Sequence, residues 1–262
     1  LEEVQTTAAQ LLSVLTRQHN ENQLAFREGA SYAARLVRSS SWPQKSLRLR
    51  TDASYLISGG LWGLGFEVAR WMVKKGARHL VLLGRSKLPP RTAWDAVPPD
   101  TRLARQVASI RELEMAGAQV HYAPVDVTDE QQLASFLQDY QSQRHPPISG
   151  VIHAASVWQD QQGQSLVRPL INLDQQALKA VFRPKVIGSW HLHKLFQDTQ
   201  LDFFVLFSSG ASLFGSAAQG NYAAAGTFLD ALAHHLRAKG QPALSIDWGA
   251  VPEMGFGATQ EG

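Results

Sequence analysis

Ser54-Tyr55-Leu56-Ile57-Ser58-Gly59-Gly60-Leu61-Trp62-Gly63-Leu64-Gly65 is the stretch that decides the fold. An apolar strand over 54–58 runs into a glycine-rich turn, and the turn opens a helix over 66–75. In that helix Val68, Ala69, Trp71 and Met72 are the candidates for the inward side. Glycines at a strand–helix turn let the backbone approach a pyrophosphate, and the helix N-terminus offers it unpaired N–H groups. A tight turn packed for its own sake is the competing account. Ser58, Gly59, Gly60, Gly63, Leu64 and Gly65 are therefore candidate nucleotide contacts.

Downstream, short apolar strands recur at about 79–83, 119–124, 150–153, 203–207 and 243–247, separated by helical stretches. Six strands joined by crossover helices predict an α/β fold with a doubly wound parallel sheet covered on both faces. The expected strand order is 3-2-1-4-5-6, with ligands at the carboxyl ends of the strands. The segment from Pro89-Pro90-Arg91 to Pro98-Pro99-Asp100 reads as a proline-rich loop after the second of these strands.

Residues 1–46 follow a different pattern. Val4, Ala8, Leu11, Leu12 and Leu15 recur at helical spacing, which predicts a short amphipathic helix. Gln23 to Arg27, a turn at Glu28-Gly29, and Tyr32 to Leu36 predict a β-hairpin. One helix and one hairpin cannot bury a core of their own, so this stretch is expected to dock on something else.

Composition narrows the function classes. The chain has 262 residues, of which 44% are hydrophobic and 18% charged, enough apolar content to make disorder throughout an unsuitable reading. The net charge of +3 and a sequence pI near 9.3 come from scattered Lys and Arg, with no basic tract interleaved with aromatics, which argues against nucleic-acid binding. There is no cysteine, so disulfides and thiolate metal sites are excluded, and no metal is expected. The apolar run around 79–83 is far shorter than the ~20 residues of a membrane helix, and a cytoplasmic location is compatible. The chain starts Leu-Glu-Glu-Val, without Met, as expected of a piece cut from a larger polypeptide.

Other strand ends extend the nucleotide reading. In Gly84-Arg85-Ser86 an Arg stands where an acid would accept from a ribose 2′-hydroxyl, which suits a 2′-phosphate and favours NADPH over NADH. Asp126-Val127 is placed for an adenine edge, although a helix N-cap accounts equally well for Asp129 and plausibly for Asp126. His153-Ala154-Ala155-Ser156 ends a strand with small residues that leave room for a cofactor, His153 itself reading as a packed strand-end residue.

Lys185, Ser209 and Tyr222 then supply a carbonyl-reduction chemistry. Ser209 precedes Tyr222 by 13 positions and Lys185 precedes it by 37. Tyr222 can donate a proton and Ser209 a hydrogen bond. A free phenol has a pKa of ~10, and a nearby ammonium is expected to lower it. Singly, each residue has a plainer role in packing, capping or solvation; their joint placement around the fifth strand favours the functional one.

Phe182-Arg183-Pro184-Lys185, Phe207-Ser208-Ser209 and Gln219-Gly220-Asn221-Tyr222-Ala223-Ala224-Ala225, with the turn at 58–65, resemble the ketoreductase domain of a modular type I polyketide synthase. This is a Rossmann-type domain of the short-chain dehydrogenase/reductase superfamily. The resemblance spans about 47–262, and residues 23–46 resemble the closing hairpin of that domain's structural subdomain. It implies that 1–46 is the C-terminal remnant of the structural subdomain and 47–262 the catalytic, NADPH-binding one. The chain would end soon after Met254-Gly255-Phe256-Gly257, about where a substrate lid begins. The implied reaction converts a β-ketoacyl chain on the phosphopantetheine of an acyl carrier domain to a β-hydroxyacyl chain. The implied roles are Tyr222 as acid, Ser209 as carbonyl donor and Lys185 as proton relay and ribose contact; Tyr222 also borders the cofactor.

The chain departs from that family at several positions. Gly226 stands where the family usually has Asn, Ser58 where Thr is common, and Trp62 where Gly is common. The Leu-Asp-Asp marker of one hydroxyl configuration reads Trp158-Gln159-Asp160, and the Trp marking the opposite class aligns with Phe214. The retained Asp gives a slight lean to the Asp-marked type. Two rival readings follow: an impaired domain that binds NADPH without reducing, because of Gly226, and a structural scaffold between modules, because of Trp62 and the partial 1–46 unit.

Overall fold

The computed structural model describes residues 2–16, 21, 24–33, 35–38, 48–160 and 162–251. Gln23, Ala34, the end of the 1–46 stretch and Met254 to Gly257 lie outside the described residues. The chain divides into two compact units, 1–46 and 47–262.

The first unit holds α1 (Glu2–Thr16) and the antiparallel pair β1 (Leu24–Arg27) and β2 (Ala30–Ala33). The second strand starts at once after a two-residue turn, earlier than expected. Glu28 (φ 49°) and Gly29 (φ 77°) are both left-handed, as the tight hairpin turn with matching twist requires. Gln10 Nε2 donates to the Gly29 carbonyl at 2.7 Å and ties α1 to the turn. Val4, Leu11, Leu12 and Leu15 of α1 are all exposed, as expected of a unit too small to enclose its own apolar stripe.

The second unit is the doubly wound sheet. Its elements in order are β3 (Ser54–Ser58), α2 (Gly63–Lys74), β4 (His79–Leu83), α3 (Arg102–Met115), β5 (Gln119–Ala123), α4 (Glu130–Ser142), β6 (Ile148–His153), α5 (Gln175–Phe182), α6 (Gly188–Phe196), β7 (Phe203–Ser209), α7 (Gly210–Phe214), α8 (Gly220–Ala238) and β8 (Ala243–Trp248). The strands are all parallel in the order β5-β4-β3-β6-β7-β8, which is the expected 3-2-1-4-5-6. Every residue of β3 and β6 is buried, as central strands covered on both faces must be.

The strands sort their side chains by parity into two cores. Tyr55, Ile57, Leu80 and Leu82 join Ala69 and Met72 of α2 and Val107 and Ile110 of α3. Leu56, Val81 and Leu83 face the other way, onto Leu133 and Leu137 of α4, Leu192 of α6 and Leu229 of α8. Gly150 permits a flat contact here: a Cβ on it would lie 2.4 Å from the Phe203 ring, which stacks on Tyr55 with centroids 5.6 Å apart.

Two expectations need correction. Trp71 points outward, because α2 starts at Gly63 and its buried stripe runs Gly65, Ala69, Met72, Val73, leaving Trp71 off the stripe. The proline-rich segment contains a 3-10 helix, Arg91–Ala96, rather than open loop throughout. Its buried Trp94 donates Nε1–H to the Pro89 carbonyl at 2.9 Å and carries the Arg91 guanidinium 4.7 Å from its ring centre.

Candidate active site

The carboxyl end of the sheet carries the sequence-predicted residues in two clusters. The first surrounds the end of β3. Gly59 (φ 77°) lies against the Ala154 carbonyl and Ala155, where a Cβ would come within 3.0 Å of both. Gly65 is tighter still: a Cβ there would stand 2.3 Å from the Gly59 carbonyl oxygen. Gly60 packs on Leu82 and Ile57, with 2.9 Å available for a Cβ. This is a turn compressed to backbone, and only glycine allows it.

At Gly63 the chain enters α2 without a side-chain cap, since Trp62 occupies the N-cap position, and the first turn bears no acidic residue. Its orphan N–H groups thus meet no carboxylate of their own turn, which suits an anion. Trp62 is half exposed (54%), so much of its bulk projects to solvent. Leu64 is half-buried against the core on that face of the sheet. The bare helix start and the glycine cradle fit the pyrophosphate of a nucleotide cofactor.

Ser58 is the exception in that cluster. It is fully buried and its hydroxyl bonds His153 Nδ1 at 2.7 Å, so its side chain is committed to the framework and is not presented to a ligand. Arg85, just past β4, is exposed, and among the described residues no carboxylate lies within ion-pair range of it. Ser86 is pinned from two sides: its carbonyl accepts the Tyr122 hydroxyl at 2.5 Å and its hydroxyl accepts from Gln106 Nε2 at 3.3 Å. Asp129 is the N-cap of α4, accepting from the Gln132 amide, while Asp126 accepts from the Thr128 amide at 2.9 Å. Val127 is buried, at the place where a Cβ on Gly188 would touch it. Ala154, Ala155 and Ser156 are half-buried beyond β6.

The second cluster lies beyond the end of β7, where Lys185, Ser209 and Tyr222 converge from three elements. Lys185 sits on a five-residue π-helical turn, Arg183–Ile187, inserted between α5 and α6. It is 2% exposed, its Nζ donates to the Phe207 carbonyl at 2.9 Å, and the ammonium stands 4.5 Å from the centre of the Tyr222 ring. Burial pushes Lys185 down to about 8, with Asp230 and Asp247 pulling the other way. Tyr222, in the first turn of α8, is pushed up to about 12 by burial, and hydrogen bonding with the Ser209 side chain opposes that rise. The expected lowering of the phenol by the ammonium is not what opposes burial here; the Ser209 hydrogen bond does, and desolvation outweighs it. Ser209 ends β7 and also caps α7, accepting from the Ala211 amide at 3.2 Å.

Several neighbours of this cluster carry no clear signal in the sequence. The Trp158 indole packs on the Tyr222 ring with centroids 4.0 Å apart. Asn221 is buried, donates to the Leu166 carbonyl at 2.9 Å and accepts from the Tyr222 amide, which anchors the start of α8. Its sequence signals are its place in the 219–225 motif and in the first turn of a helix, and neither gives its partners. Trp248, paired with Ser209 across β7 and β8, buries an indole N–H with no hydrogen-bond partner among the described residues.

Gly226 faces a polar layer. A Cβ on it would meet Ser208 Oγ at 2.9 Å and Ser212 Cβ at 3.1 Å. Ser212 Oγ in turn lies 3.2 Å from Ser208 Oγ and 3.0 Å from Asp247 Oδ1. The space where an amide was expected is therefore taken up by the Ser208–Ser212 pair. Asp160 commits Oδ1 to the amides of Gln162 and Gln164 within its own loop, and Phe214 is exposed at the end of α7.

Comparison with known proteins agrees with this geometry. The family model described as KR domain matches residues 53–253. The chain is 35% identical over 262 residues to 6-methylsalicylic acid synthase of Aspergillus niger, covering 99% of the chain and 14% of that protein. It is 40% identical over 211 residues to the compactin diketide synthase of Penicillium citrinum, covering 80% of the chain and 7% of that protein. A solved A-type ketoreductase from a modular polyketide synthase superposes with a TM-score of 0.80 at 37% identity, over 97% of this chain and 49% of that one. The chain spans only a small part of these synthases. It belongs to the KR-domain family, the nucleotide-cofactor-dependent ketoreductases of polyketide synthases within the short-chain dehydrogenase/reductase superfamily.

Proposed function

We propose that this chain reduces the β-keto group of an acyl chain held on an acyl carrier domain to the β-hydroxyl, using NADPH, within a cytoplasmic synthase. In this reading residues 1–46 are the remnant of the structural subdomain and 47–262 the catalytic subdomain. One observation carries it: a buried lysine, a buried tyrosine and a serine converge at the same end of the sheet as the glycine cradle.

Gly59, Gly60, Gly63 and Gly65 with the start of α2 would hold the pyrophosphate, and Arg85 would meet a 2′-phosphate. The bound nicotinamide would supply a hydride to the carbonyl carbon. Ser209 donates a hydrogen bond to the carbonyl oxygen, and Tyr222 gives that oxygen its phenolic proton as negative charge develops. A phenol held near 12 keeps its proton until the oxygen becomes basic enough to take it. The neighbouring Lys185 ammonium then stabilises the phenolate and can supply the replacement proton. Asp126, Val127, Ala154, Ala155 and Ser156 border the cofactor through strand-end position. The side chains of Asp126 and Val127 are already committed locally.

A second reading, a domain that binds the nucleotide without reducing, draws on a specific feature. Lys185 Nζ bonds the Phe207 carbonyl, and Gly226 provides no amide to redirect it. Oxidation of NADPH with a β-ketoacyl thioester surrogate decides between the two. Multiple turnovers support the first; nucleotide binding without turnover supports the second and defeats the first.

A further inference from the structure

His153 lies outside the chemistry described above, yet it is the hinge pin between the two clusters. It is 1% exposed at the end of β6. Its Nδ1 is 2.7 Å from Ser58 Oγ, on the strand that feeds the glycine turn, and its Nε2 is 2.9 Å from the Pro184 carbonyl, one residue before Lys185. A carbonyl only accepts, so Nε2 carries the proton and Nδ1 accepts from the Ser58 hydroxyl.

The π-turn explains why the Gly188 N–H does not take the Pro184 carbonyl. In an α-helix the Gly188 N–H would bond Pro184; here it reaches back five residues to the Arg183 carbonyl and also contacts that of Lys185. Gly188 has no side chain, which lets α6 start close against the imidazole, where a Cβ would be 3.2 Å from Cε1. The histidine therefore engages the carbonyl that the Gly188 N–H passes over, and the Lys185 backbone also lies within its reach.

We propose that His153 is a positioning residue for the reduction: it clamps the end of β3 to the π-turn and keeps Lys185 in place over Tyr222. The proposal rests on the reductase reading above. Burial and the Lys185 charge push His153 down to about 4, so it acts as a neutral strut and not as a proton carrier. Without the Nε2 donor, the turn can return the Pro184 carbonyl to Gly188 and carry Lys185 off the ring.

Three variants test it: His153→Leu, His153→Gln and His153→Asn. The Gln amide can reach Pro184 as Nε2 does, whereas Asn reaches only the Nδ1 position and Leu replaces neither. Leu and Asn are expected to lower kcat by about ten-fold or more, since a displacement near 1 Å can cost that much. Gln should recover to within about three-fold of the parent, and NADPH affinity should be similar in Leu and Gln, which both lose the Ser58 contact. A Leu variant within about two-fold of the parent in kcat, or a Gln variant no faster than Leu, overturns the proposal. If Leu does not fold, the Gln-against-Asn ratio carries the same decision. Amide hydrogen exchange at Gly188 reads the turn without activity: faster exchange in Asn than in Gln supports the clamp, and equal exchange defeats it. A parent chain that never turns over would refute the reductase reading while leaving the exchange test intact.

Discussion

The two clusters at the carboxyl end of the sheet are built from opposite materials. The nucleotide cluster is made of missing side chains: Gly59, Gly60 and Gly65 matter because nothing else fits. The chemical cluster is made of large side chains buried against their nature, a lysine and a tyrosine each held neutral-leaning by desolvation. The first tolerates no added atom, and the second depends on one oxygen and one nitrogen. Mutations should accordingly fail in different ways, through affinity at one cluster and rate at the other.

The sharpest test of that division is Tyr222→Phe. Removing the phenolic proton donor should cost about 10²–10⁴ in kcat while NADPH affinity, followed by cofactor fluorescence, stays nearly constant. A matched loss of affinity would collapse the distinction. Gly65→Ala should do the reverse. Its methyl would stand 2.3 Å from the Gly59 carbonyl oxygen, so the turn must shift, at a cost on the order of 1–3 kcal/mol in stability and a marked loss of nucleotide affinity.

Lys185→Met asks whether the chemical cluster really stores desolvation strain. Native Lys185 sits near 8 against an ordinary 10.5, so between these values the unfolded chain binds more protons. The penalty is fully present below pH 8 and fades as pH rises toward 10.5. The Met variant should therefore be nearly inactive yet more stable than the parent at pH 7, by on the order of 1–3 kcal/mol, with the gap closing in alkali. Denaturant melts at pH 7 and pH 10 check the sign; a gap that widens in alkali would contradict it.

Two smaller effects refine the comparison. Arg85→Ala should weaken NADPH by about ten-fold and leave NADH almost unchanged, the cost of one charge-assisted contact. Equal effects on both cofactors would remove Arg85 from the 2′-phosphate. Gly226→Ala sets a helix-propensity gain of ~1 kcal/mol against the 2.9 Å approach to Ser208 Oγ. A net loss of about 1 kcal/mol is expected in thermal melts, and a clear gain would show that Ser208 can yield.

The nucleotide cluster was legible because its signals are local: a strand, four close glycines and a helix start within a dozen residues. The six strands were legible through short apolar runs, and their order through the usual arrangement of a doubly wound sheet. The chemical residues were legible as types and spacings, but their environment was not. Nothing in Phe182-Arg183-Pro184-Lys185 announces a π-turn, because hydrogen-bond register in a helix depends on what packs around it. Ser58 reads as a candidate nucleotide contact until His153, 95 positions away, is folded onto it. Trp158 over Tyr222 and the burial that raises the phenol likewise arise from contacts distant in sequence.

The π-turn also has a consequence for how this chain can vary. Extra chain length has been accommodated inside a helix, and five residues span what a regular helix would close with four. Deleting a single residue from 183–187 would restore ordinary winding at little local cost, but it would rotate everything before it against α6 by about 100°. Apart from Lys185, substitutions in this segment are thus far easier to accept than a change in its length.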